Sequence, residues 1–436
     1  GASTGWPAAK YRGGPFPNHG GPVLIKTVLK RVHPLKLFVY GAVTIVANVV
    51  RVTVEPRKGS RGTCSGCKAR GPTYDTSRTP RHFDFVPLWG MAVVLIYWMR
   101  RIECARCGVT VEQVPWADGK HHACNVYRLF LATWAKRISW TEVSRVFGTS
   151  WGVVFRSVDW VVAYGLKHRD LRAVRSIGID EIAVWARQKY LTVVYQIDAG
   201  SRRLLWIGQT RKKEALESFF ADWGVKRTRT LEFICSDMWH VYLDVIKKKA
   251  GHALHVLDRF HIVANMNKVI DKVRASEART MARAGFEPVL AKSRWCFLKR
   301  KKNLTRLQRR KLTDVLRYNL RTVRAYLLKE SLEGLWRYTR PDTAGWFLKE
   351  WCTRALRSRI PDIKRFAHTL RKHAPLILNY FRANKEVSAG AVEAFNLGAK
   401  FALRKARGFR TYGAMKTALY HQLGRLPEPR FTHSFC

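Results

Sequence analysis

Ile177-Gly178-Ile179-Asp180-Glu181-Ile182-Ala183-Val184-Trp185 is an apolar run interrupted by acid. β-Branched residues bracket the carboxylates, so the segment reads as a strand with Asp180 on one face and Glu181 on the other. Tyr190 to Ile197 reads as a second strand, Asp198-Ala199-Gly200-Ser201 as a turn, and Leu204 to Ile207 as a third strand. A helical pattern covers Lys213 to Trp223. Leu231 to Trp239 is a further buried strand that ends in Asp237, and a helix over Tyr242–Lys249 and a strand over Ala253–Leu257 follow.

Three antiparallel strands, a helix, and then a strand tipped by a carboxylate is the order of a ribonuclease H-like fold. It puts Asp180 on the central strand and Asp237 at the end of its neighbour, with carboxylates about 4–5 Å apart from strand spacing. Two such groups repel unless a cation lies between them. Among rival acids, Glu181 is expected on the opposite face and Asp198 in a turn. Asp258, at the tip of the last strand, is a further ligand or supporting group with His261, or else one half of an ion pair with Arg259.

A last helix begins near Ser388. Glu393, Asn396, Lys400, Arg404 and Arg407 form one polar stripe at helical spacing, and Phe395, Ala399, Ala402 and Ala406 an apolar face. The stripe suits a helix that holds metal at one end and follows a phosphate backbone beyond it. A solvated amphipathic face is the plain alternative.

The charge narrows the partner. Eighty Lys+Arg against 31 Asp+Glu give +49, a self-repulsion that nucleic acid relieves. The longest apolar stretch, Leu37 to Val50, contains Asn48 and falls short of the ~20 residues of a membrane span, so no membrane role is expected. No secretory segment is expected either, and the cytoplasm is the expected compartment. Cys64-Ser-Gly-Cys67 and Cys104-Ala-Arg-Cys107 present four thiolates on two knuckles, suited to one structural Zn²⁺. Gly66 and Gly108 are expected to loosen the knuckle backbones. His82, His121, His122 and Cys124 are spare candidates, while Cys235, Cys296, Cys352 and Cys436 read as packing or surface residues. Ser139-Trp-Thr-Glu142 is a capping-box pattern, Gly148 a breaker, and Thr149 and Ser150 caps for a second helix. This is a helix-turn-helix plan with Trp151 and Arg156 near the DNA-facing side; an ordinary helical hairpin is the alternative.

In order, these pieces resemble the bacterial insertion-sequence transposases of the DDE type known as the ISL-three family. The motifs are the two cysteine pairs with Arg100-Arg-Ile-Glu-Cys104, the helix-turn-helix, Gly178-Ile-Asp180-Glu and Ser236-Asp237-Met-Trp239. Asp258-Arg-Phe-His261, Val392-Glu393-x-x-Asn396 and Arg407-Gly-Phe409 complete the set. The resemblance spans about residues 45 to 425. It implies that Asp180, Asp237 and Glu393 are the catalytic triad, and that the long interval before Glu393 is a helical insertion. The expected mechanism uses two Mg²⁺ ions, with Mn²⁺ able to substitute: water frees a 3′-hydroxyl, which then attacks another strand. The expected partners are double-stranded DNA, both terminal inverted repeats and target, and a second copy of the chain on that DNA.

The fold class is thus expected to be multidomain α+β. The segments are a basic N-terminal arm (1–44), flexible to about residue 30, a strand plus four-cysteine zinc-binding module (45–122), and a helix-turn-helix (123–170). A catalytic core (171–264) follows, then a basic helical insertion (265–385), then the last catalytic helix and tail (386–436). The insertion, with Trp295, Trp336, Trp346 and Trp351, either binds element ends or forms a dimer face. Two rival readings remain: a catalytically silent zinc/helix-turn-helix regulator, and a structure-specific nuclease on the same fold.

Overall fold

The computed structural model describes residues 24–185, 189–385, 390–406 and 408–431. Its mixed α/β chain forms two compact units, one ending at Tyr164 and resuming at Glu428, the other running Gly165–Pro427. No helix among the described residues is long and apolar enough to cross a membrane.

The first unit opens with α1 (Ile25–Val32) and β1 (Phe38–Val46). Both lie partly or wholly in the segment expected to be an arm, and α1 begins inside the stretch expected to be flexible, which corrects that expectation from Ile25 on. Ile25, Val28, Leu29 and Val32 recur at helical spacing, and Leu29 is buried. β2 (Val49–Pro56) carries the alternation expected there, with Val50, Val52 and Val54 all buried. β3 (Gly62–Thr63) and β4 (Arg70–Gly71) form a short hairpin, and β5 (Thr73–Thr76) follows. β6 (Arg81–Leu88) and β7 (Met91–Tyr97) join β1 and β2 in a sheet ordered β1-β2-β7-β6. β8 (Arg100–Cys104) and β9 (Gly108–Val111) pair next to β5. The long interval between the cysteine pairs therefore houses a hairpin that completes another sheet.

Three helices follow, the last continuing past Tyr164: α2 (Asn125–Ala135), α3 (Trp140–Val146) and α4 (Trp151–His168). Ser139 Oγ caps α3 at the Glu142 amide, 3.2 Å away. The Glu142 carboxylate pairs with Arg145 at 3.1 Å, so the reciprocal half of the expected capping box gives way to an i,i+3 ion pair. Gly148 stops the helix with φ +58. The Thr149 amide bonds the Ser144 carbonyl and Gly148 that of Arg145, a Schellman closure that a left-handed glycine permits. Ser150 Oγ then caps α4 at the Val153 amide.

The second unit is built on β10 (Ser176–Trp185), β11 (Lys189–Gln196), β12 (Arg203–Gly208), β13 (Phe233–Ser236) and β14 (Leu254–Leu257), in the order β12-β11-β10-β13-β14. The first three are antiparallel; β13 and β14 run parallel to β10. α5 (Lys213–Trp223), α6 (Val225–Arg229) and α7 (His240–Ala250) supply the crossovers. Ile177, Ile179, Val194, Leu216, Phe219, Ile234, Tyr242 and Val245 share one buried core. Runs of consecutive buried residues, as from Leu191 to Ile197, show these strands covered on both faces.

Beyond β14 the chain is helical: α8 (Arg259–Arg283), α9 (Arg294–Leu298), α10 (Arg306–Val315), α11 (Arg321–Leu332), α12 (Pro341–Leu356), α13 (Pro361–Lys372) and α14 (Ala374–Arg382). The buried Glu277 carboxylate of α8 accepts from the Arg321 and Thr322 amides and the Thr322 hydroxyl, capping α11 from a neighbouring helix. Asn379 Nδ2 donates to the His255 carbonyl at 2.7 Å and ties α14 to β14. The four tryptophans expected in this segment divide. Trp351 is buried and donates to the Leu328 carbonyl, and Trp336 stacks on Phe381, while Trp295 and Trp346 are exposed. α15 (Gly390–Lys405) and α16 (Tyr412–Leu423) close the unit. Ser388, the expected start of the last helix, falls outside the described residues.

Candidate functional site

The register of the parallel strands aligns three acids. Gly178 pairs with Cys235, and Cys235 with Val256. Two residues further on, Asp180, Asp237 and Asp258 stand level across β10 and the ends of β13 and β14. Parallel neighbours at one register share a face, so the three aspartates form a row. Asp258 thus belongs with the two acids expected to act.

Each acid is oriented locally. Asp180 Oδ1 accepts from the Glu181 amide at 2.7 Å, and its Oδ2 from Asn396 Nδ2. Asp237 Oδ1 accepts from the Trp239 amide at 3.0 Å. Asp258 caps α8 at the Phe260 amide, 2.7 Å away. Its Oδ2 lies 3.1 Å from His261 Nδ1, whereas Arg259, its expected alternative partner, reaches Tyr380 instead. The Asp258 contact raises His261 to about 9, and Asp180 and Asp237 add to the shift.

Burial raises Asp180 and Asp237 above the usual carboxylate range. Glu181 is raised too, first by burial and then by Asp237. Strand parity alone turns Glu181 away from the site, yet its carboxylate feels both aspartates. The strict alternation of a strand does not hold a long side chain away from a neighbouring strand's tip. Arg211 lies 3.9 Å from Glu181 and stacks on Tyr190.

α15 carries the last motif. Asn396 bridges Asp180 and the Tyr195 hydroxyl, 3.2 Å away, and Phe395 stacks on Tyr195 with ring centroids 4.6 Å apart. Ala399 and Ala402 are buried as the expected apolar face; Lys400 and Arg404 are exposed. Asn396, expected on the DNA-following stripe, is engaged with Asp180. The backbone of Glu393 lies in α15 one turn before Asn396, while its side chain falls outside the described residues, as does all of Arg407. Tyr195 has no signal in the sequence: a buried strand tyrosine is indistinguishable from core until its hydroxyl partner is known.

A divalent cation suits the acid row chemically. Burial raises Asp180 and Asp237 because it disfavours their charged form, and a cation beside them favours it. Among the described residues, though, the four cysteines are the one group of three or more ligand atoms already gathered within 4.8 Å.

Those cysteines fit Zn²⁺. Tetrahedral zinc–thiolate bonds of ~2.3 Å demand sulfurs roughly 4 Å apart, and Cys67 Sγ lies 3.4 Å from Cys104 Sγ. Thr110 Oγ1 sits 3.1 Å from Cys64 Sγ, and this contact is the main cause lowering that thiol to about 6. Gly108 has φ +70, as a loosened knuckle needs. At the first knuckle the left-handed residue is Lys68, at φ +66. Gly66 serves instead by close approach, since a Cβ there would lie 3.2 Å from Cys107 Sγ. The spare candidates His82, His121, His122 and Cys124 are not part of the cluster. Cys124 is buried at the start of α2, Cys235, Cys296 and Cys352 are buried, and Cys436 falls outside the described residues.

On α4, Trp151 and Arg156 are exposed. Trp151 stacks on Phe155 and leans on Trp140, with centroids 5.5 and 5.7 Å away. A Cβ on Gly152 would lie 3.3 Å from Arg156 Nη1, so the glycine lets that guanidinium fold along the helix.

Residues 177–419 match a protein family described as Transposase, the DDE-type ISL3 group. The chain is 30% identical over 387 residues to the transposase for insertion sequence element IS1557 of Mycobacterium tuberculosis, covering 83% of this chain and 86% of that protein. It is 27% identical over 351 residues to the transposase for insertion sequence element IS1001 of Bordetella parapertussis, covering 80% and 85%.

Proposed function

The chain belongs to the ISL3 family of insertion-sequence transposases, and on that premise we propose that it cleaves and joins DNA at its element's terminal inverted repeats, with Asp180, Asp237 and Glu393 as catalytic carboxylates. Cleavage and strand transfer are the general activity of transposases. The observation that carries the reading is the level placement of Asp180 and Asp237, with α15 anchored to Asp180 through Asn396.

The five-stranded sheet is read as a ribonuclease H-like core and α8–α14 as its helical insertion. Asp180, Asp237 and Glu393 would hold two Mg²⁺ ions, or Mn²⁺ in their place. Bound there, the ions activate the attacking oxygen and stabilise the leaving one. Asn396 keeps Asp180 turned toward the site, and the Trp239 amide does the same for Asp237. Glu393 lies one turn from Asn396, a spacing that gives both the same helix face. Asp258 and His261 steady the far end of the row.

The zinc module and the α3–α4 pair are read as the DNA-recognition part, with Trp151 and Arg156 on the reading helix. Lys400, Arg404 and Arg407 are read as contacts to the DNA backbone near the cut. A positive charge of 49 makes such binding strongly salt-dependent. A homodimer on paired element ends completes the proposal.

The test uses purified chain, Mg²⁺ and a duplex carrying the inverted repeat found beside the gene. Wild type nicks the repeat and joins it to a target duplex. Asp180→Asn, Asp237→Asn and Glu393→Gln each abolish both steps and keep binding. Nicking without joining in wild type identifies a nuclease, and binding without either a silent regulator. Full activity in any of the three variants overturns the assignment of that residue.

A further inference from the structure

α15 presents its side chains in sectors. At ~100° per residue and with Asn396 as origin, Lys400 lies at about 40°, Arg404 at about 80°, Leu397 at about 100° and Phe401 at about 140°. The opposite half is covered: Phe395 stacks on Tyr195, Ala399 and Ala402 are buried, and a Cβ on Gly398 would meet Leu423 of α16 at 3.1 Å. The open half therefore runs from a group bonded to Asp180, through two exposed cations, to an apolar pair. Leu397 is 70% exposed and Phe401 67% exposed.

An exposed Leu/Phe pair one turn apart is costly in water. Its flank of Lys400 and Arg404 identifies a polyanion as what comes to lie there. A DNA strand whose phosphate reaches the acid row has its next phosphates opposite these cations. Its bases, if unpaired, then fall against Leu397 and Phe401. We infer that this edge is a stacking platform for unpaired bases beside the cut, with Phe401 as the ring and Leu397 as its support. The inference rests on the catalytic reading of Asp180 only for its location.

The platform would act in cleavage by holding the strand open next to the scissile phosphate. Stacking on an aromatic face tolerates any base, so it adds affinity for single strands without adding sequence preference.

The experiment measures binding of the full chain to a fluorescent dT oligonucleotide and to a duplex of equal length, as a function of salt. Phe401→Ala weakens the dT oligonucleotide by roughly 5- to 100-fold, and leaves duplex binding and the thermal midpoint unchanged. Phe401→Trp restores it. Lys400→Ala and Arg404→Ala weaken both DNAs and flatten the salt dependence, each by about one released counterion. Equal loss on both DNAs for Phe401→Ala, or no loss, overturns the platform. So does a fall from dimer to monomer in sedimentation with DNA binding intact, which identifies a second copy as the occupant. Binding is read without catalysis, so active Asp180→Asn protein would refute the catalytic reading and leave the platform result standing.

Discussion

Asn396 of α15 donates its amide to Asp180 of β10, joining positions 216 residues apart. That bond uses one of the two Asp180 oxygens and fixes the plane of the carboxylate. The same Asn396 accepts from the Tyr195 hydroxyl, so its own amide cannot flip without loss.

Asn396→Ala is therefore expected to lower nicking and strand transfer about 10- to 100-fold, the usual cost of losing an orienting partner behind a ligand. Binding to the inverted repeat stays within about twofold, since the group is spent on Asp180. Asn396→Asp is expected to be worse, because it sets a second carboxylate against Asp180. An Asn396→Ala protein that loses DNA binding in proportion to activity would return Asn396 to the DNA-following stripe.

Much of this architecture is written in short-range pattern. The strands β10, β11, β12, β13 and β14 announce themselves as apolar runs, with Asp180 interrupting the first and Asp237 and Asp258 following the last two. The caps at Ser139, Gly148 and Ser150 are equally local. What is not legible is long-range or hidden by composition. α1 and β1 lie downstream of a Gly/Pro-rich stretch whose composition masks their own periodicity. Asn396 looks like any polar residue of an amphipathic helix until Asp180 is known to face it. Asp258 looks like one rival acid among several, because register between parallel strands is not encoded near either one. Strand parity places the Cβ of Glu181 but not the end of its carboxylate.

The zinc module gives a second expectation. The full chain should bind one Zn²⁺, and Cys67→Ser should lose it along with the fold of the β8–β9 hairpin region. Gly66→Ala is subtler, because its new Cβ presses on Cys107 Sγ. We expect zinc affinity to fall about tenfold, a magnitude typical of damage to the shell around a site. A chromogenic chelator competition measures it. Unchanged affinity for Gly66→Ala would show that the knuckle has room the structure denies it.

His255 makes the core of the second unit sensitive to acid. Its Nε2 lies 2.8 Å from Ser236 Oγ, and burial lowers the ring to about 4. An unfolded histidine titrates near 6.5. Between those values the unfolded chain binds more protons than the folded one, so stability rises with pH across the window. The contribution is complete above about 6.5 and lost as pH falls toward 4. From pH 7.5 to 5 the loss is about 2 kcal/mol by linkage. Denaturant unfolding of wild type and His255→Gln at both pH values tests it: the variant should lack this part of the pH dependence. Parallel curves would mean that the folded ring takes up its proton as readily as the unfolded one, and that burial does not lower it.

Glu112 carries the largest expected stability effect. Its carboxylate accepts from Arg100 Nε at 2.9 Å, from Arg100 Nη2, and from the Tyr97 hydroxyl at 2.6 Å, all out of solvent. The backbone of Glu112 bridges to Cys64 and its amide bonds the Arg100 carbonyl, so this pair lies beside the two cysteine knuckles. Of these partners only Arg100 and Glu112 carry charges that compensate each other, so removing one of the two strands the other. Glu112→Ala is expected to cost about 3–5 kcal/mol. Replacing both partners by apolar residues, as in Arg100→Met with Glu112→Leu, should recover most of that loss, because it removes the stranded guanidinium. Thermal unfolding of the single and double variants decides the matter. A double variant as unstable as Glu112→Ala alone would mean that the hydrogen bonds of Tyr97 and Arg100 hold the knuckles together through their geometry, and that the stranded charge is the lesser cost.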